Sequence, residues 1–133
     1  MDDKDLEILK LMQGNARLTA EALSAVVGLS PPAVQKRVKR LRDSGVIQSE
    51  IAVLSPAKLG REMTVIVEVV LERESRMHLD AFKQRMRAAP EVQQCYYITG
   101  EADFALIALA KDMDDYQLLT QRLFFEDTNI KRF

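Results

Sequence analysis

The feature that most constrains the fold is a sharply punctuated turn between two short amphipathic segments. Gly28 suits the left-handed conformation that often ends a helix, and Ser30 followed by Pro31 is typical of an N-cap and a first helical position. Thr19 is a similar N-cap for the preceding segment. Two helices joined by a tight turn that contains glycine predict a helix-turn-helix unit.

The apolar residues around this turn predict a small core of three helices. A first helix is expected over residues 3–12, with acidic residues in its first turn, where the helix dipole favours them. In the third helix, Val34, Val38 and Leu41 form one apolar stripe, and Gly45 is the expected end. The next segment, 46–54, alternates enough to be a strand or an extended linker.

Basic residues are concentrated on the third helix. The 133-residue chain has a net charge of only −1, which taken alone argues against a nucleic-acid partner, yet five of the seven residues from Lys36 to Arg42 are basic. Such a run can be a solvated helix face. It can also bind DNA, because the second helix of a helix-turn-helix unit enters the major groove while basic side chains contact phosphates. The position of the run on that second helix favours DNA binding.

We predict that seven residues of this region lie near DNA. They are Ser30, Pro32, Gln35, Lys36, Arg37, Lys39 and Arg40. Gln35 is the candidate base reader, since its amide can pair in two places with adenine, and Lys36 or Arg37 could reach guanine. Arg37 has a second interpretation, in which it lies along the domain surface and pairs with an acid such as Asp43.

The second half of the chain changes to an alternation of strands and helices. The β-branched run at 64–71 predicts a strand that is largely buried on both faces. The further predicted elements are a helix at 77–89, a strand at 92–99, a turn at 100–103, a strand at 104–110 and a helix at 114–125. A last strand should begin at residue 129, but the chain stops at Phe133, so we expect that strand to be cut short and one sheet edge to be exposed.

These elements predict an α+β chain with two domains. A helix-turn-helix domain, winged-helix-like in character, is expected over residues 1–55, and a linker marked by Pro56 and Gly60 over 56–62. The order β-α-β-β-α-(β) over 63–133 predicts a ferredoxin-like domain whose last strand is truncated.

The composition argues against several other classes of protein. One cysteine and one histidine are too few for a disulfide framework or a typical zinc site. No apolar run approaches the roughly 20 residues of a membrane helix, and the acidic N-terminus has the wrong sign for a signal peptide. The chain also shows no nucleophile-base arrangement and no phosphate loop. We therefore expect a soluble cytoplasmic protein that is not an enzyme and holds no metal or cofactor.

Five segments of the chain occur in an order and at a spacing typical of one family. They are Asp2-Asp3-Lys4-Asp5-Leu6-Glu7-Ile8-Leu9, Gly28-Leu29-Ser30, Arg37-Val38-Lys39-Arg40-Leu41, Gly45-Val46-Ile47 and Cys95-Tyr96-Tyr97-Ile98-Thr99-Gly100-Glu101-Ala102-Asp103-Phe104. On these segments the chain closely resembles the Lrp/AsnC family, the feast/famine transcriptional regulators. The resemblance covers essentially the whole chain and departs from the family only at the last strand.

The resemblance implies a sequence-specific regulator of transcription. In the family, the N-terminal domain binds DNA as a dimer, and the C-terminal domain oligomerises, commonly to octamers, and senses a small metabolite, usually an amino acid. A two-fold dimer implies an imperfectly palindromic site. The alternative is an enzyme on the same architecture, since siroheme decarboxylases resemble this family in fold; a single histidine and an intact basic helix argue against it.

The resemblance also implies an effector site at the predicted hairpin turn, which lines the pocket between dimers in the family. The residues carried over are Tyr97, Thr99, Gly100, Glu101, Ala102 and Asp103. An amino acid needs N–H groups for its carboxylate, which a turn containing Gly100 can supply, and an acceptor such as Asp103 or Glu101 for its ammonium group. By residue type alone, an ordinary β-turn is the simpler interpretation.

Overall fold

Three helices form the N-terminal part of the chain, and a four-stranded sheet with two helices forms the rest. The computed structural model describes all 133 residues, which divide into a helical unit, Met1–Val53, and a sheet unit, Leu54–Phe133. The helical unit contains α1 (Asp3–Gly14), α2 (Ala20–Val27) and α3 (Pro31–Asp43). The sheet unit contains β1 (Met63–Leu71), α4 (Arg76–Ala88), β2 (Val92–Tyr97), β3 (Phe104–Ala110), α5 (Met113–Thr120) and β4 (Ile130–Arg132).

The ends of the helices follow local sequence chemistry. Thr19 caps α2 by accepting a hydrogen bond from the backbone N–H of Ala22, and Gly28 ends that helix in the left-handed conformation, with φ of 75°. Ser30 caps α3 by accepting from the N–H of Ala33, and Pro31 is its first residue. The predicted turn between the two helices is therefore confirmed.

The segment after α3 does not form a strand. Residues 48–53 have no regular secondary structure, which decides between the two expectations for 46–54 in favour of an extended linker. The side chains of Ile51 and Val53 are largely exposed. A strand needs a hydrogen-bonded neighbour, and β1 to β4 pair only with one another.

The sheet has the strand order β2-β3-β1-β4, and all its pairings are antiparallel. The central pair, β1 with β3, runs in register from Met63 opposite Ala110 to Val69 opposite Phe104. The ferredoxin-like βαββαβ order is confirmed. The last strand, which we expected to be cut short, is present over three residues, and β4 pairs with β1 through Val70 and Leu71 at that edge of the sheet.

Only one face of the sheet is covered within the chain. Val67, Val69, Phe104 and Leu106 on that face pack with residues of α4 and α5 in a single buried cluster. On the opposite face of β1, the side chain of Ile66 is 75% exposed. The prediction that β1 is buried on both faces is therefore wrong for the single chain, because both helices lie on the same side of the sheet.

The last helix is shorter and less regular than predicted. Asp112 caps α5 by accepting from the N–H of Asp115 at 2.8 Å, and the chain changes to a π-helical turn over Gln121–Phe125. Leu119 and Leu123 still reach the same core across this change. None of the helices has the length and apolar character needed to cross a membrane.

Candidate functional site

The third helix presents a polar face opposite its core stripe. Successive residues are rotated by about 100° around a helix axis, so Gln35, Lys36 and Lys39 lie together on the side away from Val34 and Leu41. The structure agrees: these three polar side chains are exposed, whereas the apolar stripe is buried. This outward face is the arrangement that insertion into a groove requires.

The N-terminal end of α3 is also open to solvent. Ser30 and Pro32 are both exposed at this end, one as the cap and the other in the first turn. The hydroxyl of Ser30 is occupied as an acceptor from Ala33 at 3.3 Å, which leaves its proton available to donate. Pro31 and Pro32 have no backbone N–H, and the N–H of Ala33 is bound to Ser30, so the group that this end offers to an anionic partner is the hydroxyl proton of Ser30.

Arg37 lies on a different side of the helix. Its Nη1 atom lies 2.7 Å from each carboxylate oxygen of Asp2 and 3.1 Å from Oδ1 of Asp5. Its side chain is only 24% exposed. Of the two interpretations, the structure places Arg37 in an ion pair along the domain surface, but its partners are the two acids at the start of α1, Asp2 and Asp5, and not Asp43.

Asp2, Asp5 and Arg37 shift one another's pKa values. The hydrogen bond from Arg37 lowers the pKa of Asp2 to about 2. Burial by itself would raise the pKa of Asp5, but hydrogen bonds from the Asp2 backbone and from Arg37 keep that pKa below its usual value. The same two carboxylates raise the pKa of Arg37. All three groups are therefore charged at neutral pH.

The other basic residues of α3 are mostly paired as well. Arg40 Nη2 lies 3.3 Å from Oδ2 of Asp5. Lys39 pairs with Asp43 at 2.6 Å, and a further ion pair joins Arg42 to Glu50 at 2.7 Å. Lys36 makes no ion pair within the chain, so it is the basic residue of the run whose charge is not offset locally.

Sequence reasoning missed the two acids that organise this surface. Asp2 and Asp5 form a reciprocal capping box, in which each side chain accepts from the backbone N–H of the other residue. The signal was present as two acids three residues apart at the start of α1, but it indicates a helix start and not a partner on α3. The contact between the two helices is a property of the tertiary structure.

The second predicted site is the turn between β2 and β3. It is closed by a hydrogen bond of 2.9 Å from the N–H of Ile98 to the carbonyl of Asp103, and Gly100 adopts a φ of 117°. Thr99, Gly100 and Glu101 are exposed at its tip. A side chain at this φ would be strained, which explains the glycine.

Asp103 differs from the rest of the turn because it is buried. Its Oδ2 accepts a hydrogen bond of 2.7 Å from the N–H of Leu71, at the end of β1. Its own N–H donates to the carbonyl of Val69. The carboxyl group of Asp103 also raises the pKa of Glu74. Asp103 therefore joins the turn to β1, and Ala102 beside it is also buried.

The two adjacent tyrosines lie on opposite faces of β2. The ring of Tyr97 is 5.4 Å from the ring of Phe104, and the Lys83 ammonium lies 5.6 Å from its centre, so Tyr97 is on the helix side. Tyr96 is on the other side and donates its hydroxyl proton to Gln94. Tyr97 and the tip of the turn thus lie at the same end of the hairpin.

No group of three or more histidine, cysteine or acidic side chains in the chain is arranged to hold a metal ion.

Both halves of the chain match known families. Residues 64–133 match the model of the Lrp/AsnC ligand binding domain, and residues 1–48 match the winged helix-turn-helix DNA-binding model. The first of these matches covers more than half of the chain. The chain belongs to the Lrp/AsnC family. It is a transcriptional regulator with a helix-turn-helix domain that binds DNA and a domain that binds a small-molecule effector.

Sequence relatives of the Lrp/AsnC chain agree with this assignment. It is 48% identical over all its 133 residues to a helix-turn-helix transcriptional regulator of Sinorhizobium fredii, of which it covers 79%. It is 36% identical over 119 residues to the leucine-responsive regulatory protein of Haemophilus influenzae, which corresponds to 90% of this chain and 72% of the relative. These relatives are regulators and not enzymes, which confirms the predicted class.

Solved structures of the family have the same architecture. A transcriptional regulator of Neisseria meningitidis, crystallised as a complex with L-methionine, superposes with a TM-score of 0.86 at 30% identity, over 99% of this chain and 85% of that one. AsnC of Escherichia coli has a TM-score of 0.80 at 23% identity, over 99% and 87% of the two chains, which shows the shared fold.

Proposed function

We propose that this regulator recognises specific DNA sequences through the outward face and N-terminal end of α3, and that an amino acid bound by the sheet unit controls it. The observation that carries the DNA-binding surface is the exposure of Gln35, Lys36 and Lys39 on one face of a capped helix. Ser30 and Pro32 lie at the N-terminal end of α3, Arg40 lies at the edge of the outward face, and Arg37 is bound to Asp2 and Asp5. DNA as the partner makes the cytoplasm the expected compartment.

The roles within this surface differ. Gln35 is proposed to read a base, because an exposed amide on a groove-facing helix can make two hydrogen bonds to adenine. Lys36 and Lys39 are proposed to contact phosphates, since flexible ammonium groups provide charge without sequence preference. Lys39 and Arg40 must exchange their carboxylate partners for phosphate, whereas Lys36 needs no such exchange.

The test is a mobility-shift series on duplexes enriched by the wild-type protein from a random library. Replacing Lys36, Lys39 and Arg40 together by alanine removes up to about three phosphate contacts, so the slope of log affinity against log salt should fall by about 2 to 3. Gln35→Ala should change the preference among half-site variants and leave that slope unchanged. Full binding by the triple variant would contradict the proposed interface.

The sheet unit is proposed to form the homodimer through its uncovered face. Ile66 is paired across the sheet with Ile107, and Leu109 lies two residues further along the same face of β3. An apolar sheet face of this kind is the surface that two copies can bury symmetrically. A two-fold dimer would present two recognition helices to an imperfect palindrome, and further association of dimers, to an octamer, follows from the family pattern.

Sedimentation velocity measures this association directly. Ile66→Lys would place a charge in the proposed interface and should shift the protein to smaller species. Met77→Lys is the matched control, since Met77 is a similarly exposed apolar residue of the same unit but lies on α4. Unchanged assembly of the Ile66 variant would contradict an interface through the sheet.

The effector is proposed to be an amino acid bound at the β2–β3 turn. The turn tip offers backbone N–H groups near Gly100 for a carboxylate, and exposed Glu101 is better placed than buried Asp103 to accept from an ammonium group. Tyr97 and Thr99 would form walls. The complex of the Neisseria relative with L-methionine supports this class of ligand.

A thermal-shift screen of the twenty amino acids, followed by size-exclusion chromatography with and without DNA, tests the effector. Binding to the folded state raises the melting temperature according to ligand concentration over Kd. An amino acid that raises it should also change the assembly or the affinity for DNA, and DNA must change its affinity reciprocally. A flat response to all twenty would contradict amino-acid sensing.

A further inference from the structure

The acids at the start of α1 are placed where they can control which cations of α3 reach DNA. The carboxylate of Asp5 is 1% exposed and lies between two arginines of α3. Asp2 adds a second carboxylate to Arg37, with both of its oxygens 2.7 Å from the guanidinium. The four side chains carry two positive and two negative charges, so the cluster is neutral as a whole.

Arg37 and Arg40 occupy different positions in this cluster. At about 100° per residue, Arg37 lies roughly 140° and Arg40 roughly 80° around the helix from Pro32, near the middle of the outward face. Arg37 is therefore beside the core stripe, and its three close oxygen contacts hold it there. Arg40 lies at the edge of the outward face, is 61% exposed and makes only longer contacts with Asp5.

An arginine released from such a cluster would bind DNA phosphates of any sequence. Phosphate contacts strengthen binding to every sequence, whereas discrimination comes from base contacts. A recognition helix with all its cations available would therefore bind non-specific DNA more tightly. Discrimination between DNA sequences requires that some of these cations do not contact phosphates and that the helix has one fixed orientation on the domain.

We propose that Asp5 and Asp2 are positioning residues for sequence recognition: they keep Arg37 off the DNA and restrain Arg40, so that the groove-facing face of α3 decides the sequence. This inference rests on the proposed DNA-binding function of α3. Neither acid touches DNA. Each acts through the arginines, and the consequence is a higher ratio of specific to non-specific affinity.

The primary test compares Asp5→Asn with Asp3→Asn. Asp3 is an exposed acid of the same first helical turn that makes no ion pair, so its variant has the same charge change without releasing an arginine. The two probes are a duplex enriched by the wild-type protein from a random library and a scrambled duplex of equal composition. Helix content by circular dichroism shows that each variant is folded at the assay temperature.

For Asp5→Asn, we expect the ratio of the two affinities to fall about tenfold. The salt slope on the scrambled duplex should become steeper by about 1, because Arg37 gains access to a phosphate, whereas Arg40 already contacts one in the wild-type protein. For Asp3→Asn, the ratio should stay within about twofold of wild type and the slope should not change. A merely structural role for Asp5 would lower the folded fraction and weaken both duplexes equally, which leaves the ratio unchanged.

Two further variants keep the test decisive if Asp5→Asn does not fold. Asp2→Asn retains an N-cap acceptor while removing one charge from Arg37, and it should lower the ratio in the same direction. Arg37→Gln should leave the salt slope at its wild-type value, because Arg37 contacts no phosphate. A slope that falls by about one unit in Arg37→Gln would overturn the inference.

The outcomes for the inference and for the proposed function are separable. A wild-type protein that binds both duplexes equally overturns sequence-specific binding, and the inference fails with it. A wild-type protein that discriminates, combined with an unchanged ratio in Asp5→Asn or Asp2→Asn, overturns the inference alone. Partial recovery of the ratio when Arg37→Gln is added to Asp5→Asn supports it, since that change removes the released cation.

Discussion

Two buried carboxylates, one in each unit, are held in opposite ways. Asp5 in the helical unit is 1% exposed and faces two guanidinium groups, whereas Asp103 in the sheet unit is 7% exposed and accepts from a backbone N–H. Asp103 also raises the pKa of another acid, Glu74. The comparison shows that burial alone does not define the role of a carboxylate. Its partners make Asp5 part of a neutral charge cluster and Asp103 a link between a turn and a strand.

The largest expected effect comes from removing the acceptor at Asp103. Asp103→Ala leaves the N–H of Leu71 without a partner inside the sheet unit, which should lower the free energy of unfolding by about 1–3 kcal/mol. Asp103→Asn retains an acceptor and should cost less. All three tyrosines lie in this unit, so urea unfolding followed by tyrosine fluorescence reports on it alone.

The control for that measurement is Glu101→Ala in the same turn. Glu101 is exposed, and a surface substitution of this kind usually changes stability by less than about 0.5 kcal/mol. Equal losses of unfolding free energy in the Asp103→Ala and Glu101→Ala variants would mean that the hydrogen bond between Asp103 and Leu71 does not stabilise the sheet. Asp103 would then not link the turn to β1 energetically.

Acid should affect the two units in opposite directions. The pKa of Asp2 falls from 3.8 to about 2 on folding, because Arg37 binds its charged form. The unfolded state therefore takes up protons first, and the helical unit should lose this stabilisation as pH falls from about 4 to about 2. Hydrogen exchange of the α1 and α3 amides would measure that loss, which should be smaller in Arg37→Gln, where the hydrogen bond from the Asp5 N–H still favours the charged form.

The sheet unit should show the reverse dependence just above pH 4.5. The carboxyl group of Asp103 raises the pKa of Glu74 above its ordinary 4.5, so in that window the folded state binds more protons than the unfolded state. The contribution of Glu74 is then present at low pH and lost as pH rises. Glu74→Gln should remove this dependence in tyrosine-detected unfolding; a dependence that persists would show that Glu74 is not its source.

The smallest expected effect concerns an exposed ion pair of the helical unit. Lys39 and Asp43 form an i,i+4 pair at 2.6 Å in which both side chains are mostly exposed. Asp43→Asn should lower the stability of the helical unit by only about 0.3–0.5 kcal/mol, and added salt should erase the difference. Amide exchange in α3 would measure it. A loss that salt does not reduce would mean that this pair is not the solvent-screened contact that its exposure indicates.

Much of the fold could be predicted because its signals are local. Thr19, Gly28 and Ser30 act on hydrogen bonds within a few residues, so the turn of the helix-turn-helix unit was correctly predicted. Alternation and turn residues similarly predicted the order of strands and helices in the sheet unit. The burial of both faces of β1 was wrongly predicted, because a β-branched run does not show on which side its helices pack.

The same distinction between local signals and tertiary packing applies to the candidate sites. The sequence by itself determined that α3 is a capped, basic helix following a tight turn, and that Gly100 lies in a hairpin turn, because capping, periodicity and turn chemistry depend on neighbours along the chain. Only the tertiary structure decided that Arg37 belongs to Asp2 and Asp5, 35 and 32 residues away, and that Asp103 binds Leu71. Those contacts form between elements that are distant in sequence, and their partners are selected by how the elements pack.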